Sequence, residues 1–438
     1  MKRVIVAMGI MVLFAAQASA LDAIPGGYVY WNGRLGNPVT KLLLVRTELD
    51  CNANVVGTPA VNFDNVLNIN TYTSWPSTFW GRNVEVLDPR SAGGSGNLLL
   101  AAYANLTPPS GGFTGYAWQA PCDTLKINPT TLSHTVIVDG ALPGITWDSR
   151  QQYTALAAPA DWIPGKPSNG LSLALVRGIW SGNVAAVYDT NINGVIDNVS
   201  AEGQWFVADS TQVADVEFGL DKAIYRAYRA GTYLDPTVEI KRTGKAGVTT
   251  NYLTHVVADG MGSNSFTGGI AVGPGRPTNA TPIVYVFTRD NDASLGQRPA
   301  IFALQDSNGD NVITLGTDTI AKVWVQGQAG IDTGNSSSYD MLDLEIFVDP
   351  SNGKRTLFFN TYYNNNLYAL TLADNGLAVS GNGKAIAAGI NQSAMGSDHL
   401  GFELDMNAGA AIPEPTTLLL LGTGALGALG WLRRRRMR

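Results

Sequence analysis

The feature that most constrains this fold is what is missing along the chain. No stretch keeps an apolar 3.6-residue period through three turns with caps at both ends. Short runs of Val, Ile, Leu, Phe and Tyr recur instead, bounded by Gly, Asp, Asn and Pro, the pattern of strands joined by turns. The runs also resemble one another. Val84-Glu85-Val86-Leu87-Asp88-Pro89 leads to Asn97–Tyr103, Val216-Glu217-Phe218 leads to Ala223–Tyr228, and Leu344-Glu345-Ile346-Phe347-Val348-Asp349-Pro350 leads to Thr356–Tyr362. Each is a strand with an embedded acid, a turn, and a second strand with Tyr at or near its end. The third continues into Asn366–Leu372, and further candidates begin near Thr135, Leu171 and Gly269. Units of this kind are what β-propellers repeat. The expectation is an all-β fold, a six- or seven-bladed β-propeller over residues 81–406, with a pair of β-sandwiches as the alternative. The spacing of the runs, roughly 35 to 75 residues, is the argument against a propeller. Residues 21–80 repeat less clearly and read as an N-terminal β region or cap.

The two ends of the chain are different in kind. Lys2 and Arg3 precede an apolar run, Val4–Ala16, and Ala18-Ser19-Ala20 is an A-x-A site, so residues 1–20 read as a signal peptide cut after Ala20. At the other end Pro413-Glu414-Pro415 is followed by an apolar run from Thr417 to Leu432 and then by Arg433–Arg436 and Arg438. As a helix that run is about 24 Å long, short for a bilayer core, and the flanking arginines can snorkel to make up the difference. They should stay cytoplasmic, with the rest of the chain outside. In their order these three parts resemble the PEP-CTERM sorting signal of Gram-negative bacteria. That resemblance implies processing by an exosortase in the inner membrane, transient anchoring there, and export to the cell envelope or exopolysaccharide matrix. Residues 407–412 form a short linker to the signal. Gly422-Thr423-Gly424-Ala425-Leu426-Gly427 satisfies G-x-G-x-x-G, but lacks the strand before it and the βα unit after it that dinucleotide binding needs.

Removing both end segments changes the charge. Losing Lys2, Arg3 and five C-terminal arginines takes the basic count from 29 to 22; losing Glu414 takes the acidic count from 35 to 34; the net charge moves from −6 to −12. Such a domain has no phosphate-neutralising character, so nucleic acid is not an expected partner. Cys51 and Cys122 meet an oxidising compartment after export. A disulfide between them would close a 71-residue loop worth about 4 kcal/mol, and two unpaired buried thiols are the other option.

Chemistry-bearing motifs are few. Asp189-Thr190-Asn191-Ile192-Asn193-Gly194-Val195-Ile196-Asp197 places oxygen side chains at positions 1, 3, 5 and 9 of a tight loop, a donor set suited to Ca²⁺. Ser200 stands where an EF-hand has its Glu, and a strand precedes the loop, so it resembles the calcium loops of integrin-type propeller blades. Asp306-Ser307-Asn308-Gly309-Asp310 repeats positions 1, 3 and 5, with Asn311 at 6 and Thr314 at 9. Both also read as hairpin turns rich in Asx residues. No G-x-S-x-G or H-E-x-x-H is present, and no catalytic residue is assigned. His134, His255 and His399 are scattered, and Glu85, Glu217 and Glu345 recur at one strand position, which suits structure better than glycoside hydrolysis. Most tryptophans should be core. Trp147 and Trp162 sit in loop-like sequence and are the candidates for stacking on a sugar ring. Three functions follow: a non-catalytic binder of glycan or protein in the matrix, a secreted carbohydrate-active enzyme, or a structural matrix component.

Overall fold

The computed structural model describes residues 24, 26–35, 41–57, 67–68, 84–86, 98–102, 123–128, 134–138, 153–157, 162, 171–177, 184–196, 202–207, 213–230, 237–254, 261, 269–275, 281–290, 298–333, 341–350, 352–361, 366–387 and 402–406. They build six four-stranded antiparallel sheets. The first holds β1 (Gly27–Leu35), β2 (Lys41–Leu49) and β3 (Leu67–Asn68), and the second β4 (Val84–Val86), β5 (Leu98–Ala102), β6 (Asp123–Ile127) and β7 (His134–Val138). The third holds β8 (Tyr153–Ala157), β9 (Ser172–Arg177), β10 (Val184–Tyr188) and β11 (Gly203–Val207); the fourth β12 (Val213–Phe218), β13 (Ile224–Ala230), β14 (Thr237–Thr243) and β15 (Thr249–Thr254). The fifth holds β16 (Ile270–Gly273), β17 (Ile283–Asp290), β18 (Arg298–Gln305) and β19 (Thr319–Val325); the sixth β20 (Met341–Val348), β21 (Arg355–Thr361), β22 (Asn366–Leu372) and β23 (Lys384–Ala387). The last strand, β24 (Phe402–Met406), returns to pair antiparallel with β1, Gly27 opposite Met406 and Trp31 opposite Phe402, and completes the first sheet.

Five sheets are meanders, the first is the meander β1–β3 edged by β24, and the sheets touch through their leading strands. β24 meets β4, β4 meets β8, β8 meets β12, β12 meets β16, β16 meets β20, and β20 meets β24. The fold is therefore all-β and propeller-like. Residues 27–68, expected as a β region or cap, supply three strands of the sheet that β24 completes. The leading strands begin at Val84, Tyr153, Val213, Ile270, Met341 and Phe402, intervals of 57 to 71 residues. The wider scatter in the sequence came from mixing positions within a sheet: the candidate near Thr135 is a fourth strand and the one near Leu171 a second.

Neighbouring leading strands run in the same direction where their contacts define it. A Cβ on Gly269 would lie 2.6 Å from the Leu344 nitrogen, and one on Gly273 would lie 3.2 Å from Ile346, so β16 and β20 advance together. Two carboxylates, Asp343 buried and Asp215 half-buried, tie such strands across the gap. Asp343 Oδ2 accepts the Phe402 N–H at 2.8 Å and its Oδ1 accepts the Leu344 N–H at 2.8 Å. Asp215 Oδ2 accepts the Ile270 N–H at 2.8 Å. These N–H groups face no ladder partner on that side, and an ionised acceptor satisfies them strongly. Apolar side chains fill the space between sheets. Phe358, Leu367 and Ile386 of the sixth sheet pack with Val29, Leu49, Phe402 and Met406 of the first.

Candidate functional site

In the five sheets built as meanders the first-to-second and third-to-fourth strand connections leave from the same end, as Phe218 and Thr243 both pairing with Ile224, and Gly273 and Gln305 both pairing with Ile283, illustrate. At this end lie both Asx-rich loops, in equivalent places: Asp189 follows the third strand of the third sheet and Asp306 that of the fifth. Their local structure matches closely, the first Asp of each accepting the N–H of position 6 and one further N–H, from position 5 in the first loop and position 4 in the second. Asp189 Oδ1 accepts the Asn193 N–H at 3.0 Å and Oδ2 the Gly194 N–H at 2.6 Å. Asp306 Oδ1 accepts the Gly309 N–H at 2.6 Å and Oδ2 the Asn311 N–H at 2.7 Å. The middle side chains follow suit, Asn191 Oδ1 taking the Asn193 N–H and Asn308 Oδ1 the Asp310 N–H. Positive φ falls at positions 4 and 6 of both, at Ile192 (59°) and Gly194 (84°), and at Gly309 (80°) and Asn311 (64°). The apparent substitution of Asn for Gly at position 6 is thus conformationally conservative, since Asn tolerates the left-handed region.

Two carboxylates that the motif omits belong to these loops. Glu202 Oε1 accepts both the Thr190 N–H at 3.0 Å and its hydroxyl at 2.9 Å. Asp318 accepts the Ser307 and Thr314 N–H groups at 2.8 Å each. They lie at positions 14 and 13, past the end of the motif, which is why a positional template misses them. Each loop then crosses to the preceding sheet. The Ile196 N–H donates to Ile137 O at 2.7 Å and the Ile313 N–H to Tyr252 O at 2.6 Å, in both cases a fourth strand. Ile196 and Ile313 are buried where the apolar position 8 lands. The first sheet does the same by a side chain: Lys384 Nζ of β23 donates to Asn52 O and Asn54 Oδ1 at 2.5 and 2.6 Å. Asp50 organises that turn, and hydrogen bonds from Asn54 hold its carboxyl below the ordinary range. The loops are clips between sheets.

The donor set of each loop is hard oxygen. An ionised Asp offers about four lone-pair sites, so two N–H bonds leave roughly two on Asp189 and on Asp306. Asn191, Asn193, Asn308 and Asp310 are exposed beside them, and these oxygens suit Ca²⁺ in kind. Asp197 lies outside the described residues. Among the described residues no three His, Cys, Asp or Glu side chains gather as a metal cluster.

The other sequence candidates separate. Trp162 is a correction: it is 1% exposed, packs edge-on against Phe218 with ring centroids 5.6 Å apart, and accepts the Ala246 N–H at its carbonyl. It is loop, as its sequence suggests, but the connection between β14 and β15 reaches over it, so no sugar can stack there. Trp147, in the connection between β7 and β8, lies outside the described residues, as do His255, His399, Cys122 and the segment 413–415. Cys51 is a free, exposed thiol in the turn after β2. His134 opens β7 and Glu85 lies in β4. Glu217 and Glu345 are half-buried on β12 and β20, and Glu217 turns back to accept the Phe218 N–H. The inter-sheet ties come from Asp215 and Asp343, each two residues earlier. Among the described residues no helix is long and apolar enough to cross a membrane.

Residues 411–436 match the PEP-CTERM protein-sorting motif. The chain is therefore an exported protein that carries an exosortase sorting signal and is held transiently at the membrane by its C-terminus. No curated protein matches the chain. Among solved structures, an α-L-arabinanase of Penicillium chrysogenum complexed with arabinobiose is 10% identical over 71% of this chain and 83% of its own, with a TM-score of 0.44. The GH93 α-L-arabinofuranosidase of Fusarium graminearum is 9% identical over 76% and 83%, with a TM-score of 0.41. The PQQ domain of a pyranose dehydrogenase from Coprinopsis cinerea is 10% identical over 75% and 90%, with a TM-score of 0.40. Likeness at this level assigns no activity.

Proposed function

We propose that the mature chain is a six-bladed β-propeller, closed by β24, that works outside the cell as a non-catalytic binder of glycan or protein in the envelope or exopolysaccharide matrix. The observation that carries this reading is the sorting motif at 411–436, which begins five residues after the strand completing the ring. The signal peptide at 1–20 and the acidic mature charge agree with export. The remaining lead for a glycan is Trp147. A pull-down on the producing organism's exopolysaccharide tests it: Trp147→Ala is expected to lose most of the binding. Trp162→Ala is expected to act on folding instead, lowering stability by about 3–5 kcal/mol as other buried Trp→Ala changes do. Shortening of the polysaccharide would make the protein an enzyme, and no retention at all would leave it a structural component.

Calcium belongs to this proposal as a structural ion held by Asp189, Asn191, Asn193 and Asp197, and in the second loop by Asp306, Asn308 and Asp310. Bound at 100 Kd it adds about 2.7 kcal/mol to the folded state. Melts in millimolar Ca²⁺ and in EGTA should then differ by a few degrees. Asp189→Ala removes two N–H acceptors as well, so it destabilises the apo protein too. The informative quantity is the calcium-dependent difference, which the variant should reduce. Coincident melts of the parent protein in the two conditions would remove calcium from the account.

A further inference from the structure

Six large apolar side chains stand exposed among the described residues: Val56, Ile192, Leu220, Val248, Val312 and Leu315. All six lie in connections at one end of the ring. Leu220 is in the first-to-second connection of the fourth sheet, and the others are in third-to-fourth connections of the first, third, fourth and fifth. Leu220 is 75% exposed and Val248 64%. These loops are braced. Arg242 Nη2 meets Asp221 Oδ2 at 2.7 Å, and the Tyr225 hydroxyl donates to the same oxygen at 3.0 Å, fixing the turn that presents Leu220. In the Asx loops Asp189 and Asp306 turn inward to backbone N–H groups, while Ile192 and Val312 point out. Exposed Lys222 and Lys245 flank Leu220 and Val248.

The C-terminal segment leaves from this end. Met406 pairs with Gly27, at the start of β1, and Leu49, at the end of β2, pairs with the same residue. Ten residues, 407–416, separate Met406 from the apolar run that starts at Thr417. Fully extended they span at most about 35 Å. While that run is in the bilayer, the tether keeps the end of the ring bearing the apolar loops within about 35 Å of the lipid.

We infer that this end of the ring is a docking surface for the lipid bilayer, used while the C-terminal segment holds the chain at the membrane. Apolar tips spread over four sheets make a broad, shallow contact, which fits a flat surface better than a groove for a peptide. Loop-tip side chains of Leu, Ile and Val enter the headgroup boundary, where binding grows with apolar area. The contact is weak by itself. The short tether raises the local concentration enough for weak contacts to hold. Docking then fixes which end of the ring faces away from the membrane.

The inference rests on the reading that the C-terminal run enters the bilayer, and one experiment separates the two. The full chain, with Cys51→Ser and Cys122→Ser, is placed in phosphatidylethanolamine–phosphatidylglycerol vesicles. A fluorophore is attached at Leu220→Cys or, following β19 at the other end, at Gln328→Cys. Flotation with the vesicles tests the tether. Lipids carrying a nitroxide near the headgroup test the docking: the label at 220 should lose most of its emission and the label at 328 should keep it. Adding Val248→Glu and Ile192→Glu should restore emission at 220. Failure to float overturns tether and docking together. Flotation with equal emission at both positions overturns the docking alone. So does a label at 220 that is shielded from iodide but not quenched by nitroxide, which would assign this end to a second copy or another protein.

Discussion

A chain ended after Leu400 is expected to lose cooperative folding, whereas one ended after Ile412 should melt as the parent does and leave the membrane fraction. The first truncation removes β24 and the second only the sorting segment. Phe402 and Met406 are fully buried between the first and sixth sheets, and burying each such side chain is worth about 1.5–3 kcal/mol. Loss of β24 also strips β1 of one ladder and leaves the buried Asp343 carboxylate without the Phe402 N–H. Those terms together approach the 5–15 kcal/mol that a whole domain commands. Calorimetry on the two truncated chains decides it. A cooperative transition in the shorter chain near the parent's temperature would show that the ring does not depend on its last strand.

Asp343→Ala is expected to lower stability by roughly 3–5 kcal/mol, since a hydrogen bond to a charged group is worth about 1.5–3 kcal/mol and two are lost from a buried site. Asp343→Asn retains one carbonyl acceptor and should cost less. Glu345→Ala, two residues on and half-buried, should cost under about 1 kcal/mol. Urea titration of the three variants gives the ranking. Equal effects of Asp343→Ala and Glu345→Ala would mean that the tie between β20 and β24 carries no special weight.

That contrast shows where the sequence was transparent. Strand runs bounded by turn residues carry their own local signal, so β4 with β5, β12 with β13 and β20 with β21 were visible as repeated pairs. The Asx loops were visible for the same reason, because Asp, Asn and Gly at fixed offsets satisfy backbone groups a few residues away. Glu202 and Asp318 were not, because they reach back 12 and 11 residues to cap N–H groups. Within β20 the repeated acid drew attention to Glu345, while the carboxylate that ties sheets is Asp343, and only the neighbouring strand distinguishes them. Trp162 looked exposed because its flanks are turn residues; its burial is decided by Phe218 and by Ala246, 56 and 84 residues away. The partner of β1 lies beyond any local window.

That last distance sets an order of events for export. Gly27 and Met406 are 379 residues apart in sequence, and bringing such ends together costs roughly 5 kcal/mol of chain entropy. If the N-terminus crosses the membrane first, β1 waits with one edge open through most of translocation, and an open edge is a template for wrong pairing. Its partner arrives with the sorting segment that holds the chain at the membrane. Maturation and sorting are thus timed together: the strand that protects the beginning of the chain reaches the far side only when the anchor does, and the fold is completed beside the membrane.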